Sequence, residues 1–88
     1  TTNGQKVRIG GLIENCRKII TKNGKLMLFS KLEDLSNNKI EVVVFPDVLE
    51  KSKNIWQENK VILVDGKINN YDGEMKIICE NVRTIESI

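Results

Sequence analysis

The stretch from Thr21 to Pro46, TKNGKLMLFSKLEDLSNNKIEVVVFP, leaves few folds open to the rest of the chain. Thr21-Lys22-Asn23-Gly24-Lys25 contains an Asn-Gly pair, the strongest short-range hairpin signal, because both residues tolerate positive φ. Leu26 to Leu32 then alternates. Leu28, Ser30 and Leu32 fall on one face, and Met27, Phe29 and Lys31 on the other. Leu35-Ser36-Asn37-Asn38-Lys39 is turn chemistry again. Ile40 to Phe45 is rich in β-branched residues, and Pro46 stops it because proline has no N–H to give a ladder. The stretch reads as turn, strand, turn, strand and stop.

Before it, Lys6 to Ile20 reads as one long strand, with Val7, Ile9, Gly11 and Ile13 alternating. Gly10-Gly11 inside it marks either a bulge where a sheet closes on itself or a loop between two short strands. After Pro46 the period changes. Val48, Leu49, Ser52, Ile55 and Trp56 fall at the spacing of one helix face, with Pro46 placed to start the helix and Asp47 suited to its first turn. Trp56 is expected as a core anchor at the helix end, and Phe45 to pack under the helix. Lys60 to Asn69 is a strand, Asn70-Tyr71-Asp72-Gly73 a hairpin turn, and Met75 to Cys79 the last strand. Asn81 to Ile88 is expected as a short extension.

With 88 residues the chain is one domain, near the size at which a single core just suffices. A parallel sheet is excluded, because each crossover needs a dozen or more residues. Five short strands leave costly edges unless they close. The expected fold is therefore all-β: a closed five-stranded antiparallel barrel with one short helix between strands 3 and 4, which is the OB-fold arrangement. The chain opens with Thr1 rather than Met, so residues 1–88 are expected to be a single domain excised from a longer chain.

Catalysis finds little support. Histidine is absent, no CxxC occurs, and there is no Ser/His/Asp set, Cys/His pair, phosphate-binding Gly-rich loop or carboxylate dyad. No enzyme activity, metal or cofactor is expected of this segment. Glu33-Asp34 reads as turn capping. Cys16 and Cys79 are expected as reduced thiols of a cytoplasmic protein, and no stretch is apolar and long enough to span a membrane.

Nucleic-acid binding is better supported. The net charge of +2 is too small to imply it alone, but Asn15 to Lys31 holds five cations and no acid. In an OB barrel the ligand crosses strands 2 and 3 between the loops joining strands 1 to 2 and 4 to 5. Arg17, Lys18, Lys22 and Lys25 belong to the first flank, and Asn69, Asn70 and Tyr71 to the second. Met27, Phe29 and Lys31 face outward if Leu28 and Leu32 face in. Cations that track phosphates and flat side chains beneath bases suit a single strand. The bland readings stay open: an inward Phe29 after a register shift, an ordinary solvated hairpin, and a Tyr71 leaning on Met75. Glu41, on the same face as Phe29, opposes a polyanion and favours weak or loop-centred binding.

The segments TKNGKLMLFSKLED, IEVVVFPDVLEK, VILVDGKI and YDGEMKIICENV closely resemble the OB domain near the C-terminal end of bacterial replicative DNA polymerase III alpha subunits. The resemblance runs from Val7 to about Ile85. It implies a bacterial, cytoplasmic single-stranded-DNA-binding or DNA-guiding module outside the polymerase active site. That module would be monomeric as an isolated domain and non-specific in sequence. Its contacts would come from Arg17, Lys18, Lys22, Lys25, Met27, Phe29, Lys31, Asn69 and Tyr71. The parent enzyme would be a DNA-directed DNA polymerase. A docking platform for other replicase subunits is the competing role. The pattern is more distantly similar to anticodon-binding barrels of class II aminoacyl-tRNA synthetases, in which Arg17 and Phe29 match base-contacting positions. Glu33 stands where those barrels carry Arg, which favours the polymerase reading.

Overall fold

A computed structural model describes residues 4–71 and 73–85, with Tyr71 described in its backbone only. Asp72 of the expected hairpin turn, the Tyr71 side chain and the end of the expected C-terminal extension lie outside the described residues. The elements run β1 (Lys6–Ile20), β2 (Leu26–Glu33), β3 (Lys39–Val44), α1 (Pro46–Lys51), β4 (Val61–Tyr71) and β5 (Glu74–Thr84). The sheet closes in the order β1-β2-β3-β5-β4, so no strand is left as an edge.

Closure depends on the length of β1. Lys6 to Leu12 pair with β4, and Leu12 to Ile20 pair with β2, so one strand of 15 residues serves two neighbours. The register slips between Ile13 and Asn15, just past the glycines rather than at them. Gly11 has its own reason: a Cβ there would sit 2.8 Å from the Glu33 carbonyl oxygen. A second slip lies at Asp65/Gly66, where a Cβ on Gly66 would meet the Ile78 carbonyl oxygen and Ile77.

All pairs are antiparallel except β3–β5, which is parallel. This corrects the purely antiparallel expectation. The dozen residues that a parallel return needs are present, because α1 and β4 both lie between the two strands. β5 also runs on to Thr84, so Asn81 to Thr84 is barrel strand rather than extension.

The β1–β2 loop spans residues 21–25. Thr21 and Lys25 close it through the Thr21 N–H to the Lys25 carbonyl (2.7 Å), and Gly24 alone takes a positive φ of 78°. In the β2–β3 turn the Asp34 carboxylate accepts from the Ser36 and Asn38 N–H groups, each at 2.9 Å, which is the capping expected there.

Strand alternation fills the barrel with Ile13, Leu28, Leu32, Val42, Val44, Ile62, Val64, Ile77, Cys79 and Val82. Leu49 and Trp56 close one end. The helix stops at Lys51, shorter than the apolar spacing suggested, and residues 52–55 continue as turns. The expected faces still point in: Leu49, Ser52 and Trp56 are buried, Val48 and Ile55 half-buried. Trp56 is the anchor that was expected. Phe45 is not under the helix. It is 44% exposed, because the extended backbone at Phe45 carries the alternation of β3 one residue further.

Candidate nucleic-acid interface

The register of β2 decides the site. Leu28, Ser30 and Leu32 are buried in the barrel, so Met27, Phe29 and Lys31 face out. Cross-strand partners share a face, and the pairings then assemble two rows. Arg17 pairs with Phe29, Phe29 with Val43, Val43 with Ile78, and Ile78 with Lys67. Asn15 pairs with Lys31, Lys31 with Glu41, Glu41 with Lys76, and Lys76 with Asn69. Each row crosses all five strands.

Phe29 lies between two cations. The Arg17 guanidinium carbon is 5.7 Å from the ring centroid and the Lys76 Nζ 6.0 Å, both within cation–π range. Glu41 takes Lys76 at 3.5 Å, the two side chains being similarly half-exposed. A pair so exposed contributes little to stability, so its main effect is to place a carboxylate and an ammonium beside the ring. Val43, only 6% exposed, floors the row. A shallow depression opens between Asn15, Cys16, Arg17, Phe29, Lys31 and Glu41.

Most of the candidate residues converge here. Arg17, Met27, Phe29 and Lys31 share the outer face of β1 and β2, and Asn69 joins them through Lys76. Lys22 and Lys25 stand exposed in the β1–β2 loop at one end of that face. Lys18 does not join. It pairs with Leu28, so it projects from the other side of β1. Tyr71 is placed by its backbone, opposite Glu74 at the β4–β5 turn. Lys76 is the residue that sequence reasoning missed. Its alternation with the buried Ile77 and Cys79 made it outward, but only the parallel β3–β5 pairing sets it beside Phe29.

Among the described residues, Arg17, Lys18, Lys22, Lys25 and Lys31 have no carboxylate oxygen within 4 Å; the ion pairs fall on Arg8, Lys39, Lys67 and Lys76. Burial pushes the Cys16 thiol above its ordinary value, and Cys16 and Cys79 are both free. Among the described residues no group of three or more His, Cys, Asp or Glu side chains is arranged to hold a metal, and no helix is long and apolar enough to cross a membrane.

Residues 7–85 match the family model described as the OB-fold nucleic acid binding domain. The chain belongs to that family. It is also similar to DNA polymerase III subunit alpha of Escherichia coli K12, 26% identical over 98% of this chain, and to that of Saccharopolyspora erythraea, 31% identical over 92%. It spans only 8% and 7% of those proteins. Among solved structures, the mitochondrial single-stranded DNA binding protein Rim1 of S. cerevisiae superposes with a TM-score of 0.77 at 12% identity, covering 97% of this chain and 98% of that one. At that identity the likeness is one of fold. The polymerase relationship and the closed OB barrel expected from the sequence both stand.

Proposed function

We propose that this OB domain is the single-stranded-DNA-binding module of a replicative DNA polymerase III alpha subunit, guiding the template strand without reading its sequence. The observation that carries the reading is Phe29: an outward, half-buried ring between Arg17 and Lys76, in the middle of a five-strand face. A base stacks on the ring, and the flanking cations turn to the phosphates on either side. Lys22, Lys25 and Lys31 add phosphate contacts, while Asn69 and Tyr71 bound the far end. Lys18, on the other side of β1, reaches a phosphate only where the strand wraps past the β1–β2 loop. Glu41 weakens the field at the centre, so affinity in isolation is modest. The polymerase relatives support this reading, as does the shared barrel of Rim1, itself a single-stranded DNA binding protein. In it, residues 1–88 are one domain of a longer chain whose nucleotidyl-transfer chemistry resides elsewhere.

Oligo-dT titration tests it. The salt slope on a single strand is about −0.7 per phosphate, so three or four contacts give a slope of roughly −2 to −3. Phe29→Ala weakens binding by ~1–3 kcal/mol with the fold intact. Unchanged binding by that variant rejects the stacking role. A structured tRNA anticodon loop that outcompetes oligo-dT reassigns the ligand.

A second reading has its own observation. Leu12, Leu35, Val61 and Ile85 are exposed around a shallow apolar depression at Gly10-Gly11. That surface suits contact with another replicase subunit. Oligo-dT that shifts no resonance in residues 17–31 or 69–76 favours docking over DNA binding.

A further inference from the structure

Phe45 follows β3 directly. Val42 and Val44 are fully buried, and the backbone at Phe45 remains extended at φ −76°, ψ 161°. Alternation therefore carries the ring to the side of Glu41 and Val43. The pairing of Leu28 with Val44, continued by one residue, sets Phe45 opposite Met27, and Met27 pairs with Ile19. Ile19, Met27 and Phe45 thus form a third outward row beside Arg17, Phe29 and Val43. Pro46 begins α1 at the next residue, and the helix turns to close the barrel end instead of covering the ring. The ring is 44% exposed, and Ile19 beside the same row is 38% exposed.

We infer that Phe45 is a second base-stacking platform on the face built around Phe29; the inference rests on the single-strand-binding reading above. Phe29 lies opposite Val43, so Phe45, two residues on, is its diagonal neighbour, with Cα atoms separated by ~7–8 Å. That is about two base steps of ~3.4 Å, so a strand with one base on Phe29 brings another within reach of Phe45. Two rings along one track match the way single strands are held, by successive bases on aromatic side chains. The adjoining groove carries Asp47 and Glu50 beside Lys53 and the Lys25 already assigned to phosphate, and Phe45 brings no charge of its own. Phe45 therefore contributes through the base.

The test uses the 88-residue chain and oligo-dT of increasing length, read by fluorescence anisotropy across a salt series. Phe45→Ala weakens binding of the longer oligomers roughly 5- to 150-fold, the effect of one stacked base. It leaves the salt slope unchanged, and it leaves the shortest oligomers, which reach only Phe29, bound as before. If Phe45→Ala fails to fold, Phe45→Leu carries the test: it keeps an apolar side chain at the start of the helix but removes the flat face, and it lowers long-oligomer affinity about 5-fold or more. Wild-type affinity in a folded Phe45 variant overturns the inference. So does an equal loss at every length, or a slope that falls by a whole contact. Loss in Phe29→Ala with none in the Phe45 variants removes the second platform alone. No loss in either removes the binding reading beneath it.

Discussion

Trp56 is 5% exposed at the closed end of the barrel, so its indole N–H needs an acceptor inside the protein. It donates to the Ser52 hydroxyl at 3.0 Å, and that hydroxyl donates in turn to the Val48 carbonyl at 2.7 Å. Ser52→Ala strands the buried indole N–H, and we expect a loss of ~1–3 kcal/mol in urea denaturation. In a Trp56→Phe background the stranded donor is gone, and Ser52→Ala should be markedly milder. Equal losses in both backgrounds would show that the hydrogen bond is not the cause. Cys79 makes a pH prediction. It is 1% exposed, and burial pushes its thiol up to about 12 from 9.0. The folded state therefore holds the thiol proton more tightly than the unfolded chain does. Stability from this group is intact below about pH 9 and falls as pH rises from 9 toward 12, by at most ~1.4 kcal/mol per pH unit. Cys79→Ser keeps a donor for the Asn81 carbonyl, which the thiol meets at 3.5 Å, and does not titrate in that range. The gap between wild type and Cys79→Ser should narrow as pH rises through the window. A gap that is flat in pH would contradict the assignment.

At the scale of elements, the β4–β5 pairing depends on Gly66, where its register slips. An added Cβ would meet the Ile78 carbonyl oxygen and, at 2.8 Å, Ile77 Cγ2, so backbone would have to move. Gly66→Ala should destabilise by ~1–3 kcal/mol or more, whereas Gly10→Ala, with nothing nearer than 3.6 Å, should stay within about 0.5 kcal/mol. Thermal unfolding of the two variants checks this, and similar midpoints would contradict it. The same comparison marks what a pattern of residues can disclose. Gly10-Gly11 stands out because two glycines interrupt an alternating run, and Gly11 does lie against the Glu33 carbonyl, yet the tightest approach is at Gly66, a lone glycine that no pattern distinguishes. Alternation in β2 offered an outward Phe29 but left an inward one open, and the register that buries Leu28 and Leu32 decided it. The spacing from Val48 to Trp56 settled which side chains turn inward, but a six-residue helix followed by turns satisfies it as well as a longer helix does. Lys76 and Phe45 escaped because both depend on β3: one on which strand returns beside it, the other on its geometry persisting past Val44. Pairing partners far apart in sequence leave no local trace.

At the scale of the molecule, charge is sorted. The acids Asp65, Glu14, Glu80 and Glu41 lie against Arg8, Lys39, Lys67 and Lys76, all of them exposed or half-exposed pairs. The cations at and beside the β1–β2 loop have no such partner among the described residues. Screening the surface pairs with salt should therefore change stability little, because each contributes at most about 1 kcal/mol. Binding behaves differently, because every phosphate neutralised releases counterions. These two dependences separate in a thermal-shift experiment. At a free oligo-dT concentration about 100 times its Kd, binding to the folded state adds ~2.7 kcal/mol. For a domain this size that raises Tm by on the order of 10–20 °C. Added salt should collapse the shift while leaving the ligand-free Tm almost unchanged. Polyglutamate supplies charge without bases, so at matched charge it should give the smaller shift. Phe29→Ala should bring the oligo-dT shift down toward the polyglutamate value, because what remains is phosphate contact alone. If polyglutamate matches oligo-dT on the wild-type chain, the face is a cation cluster and its rings hold no base.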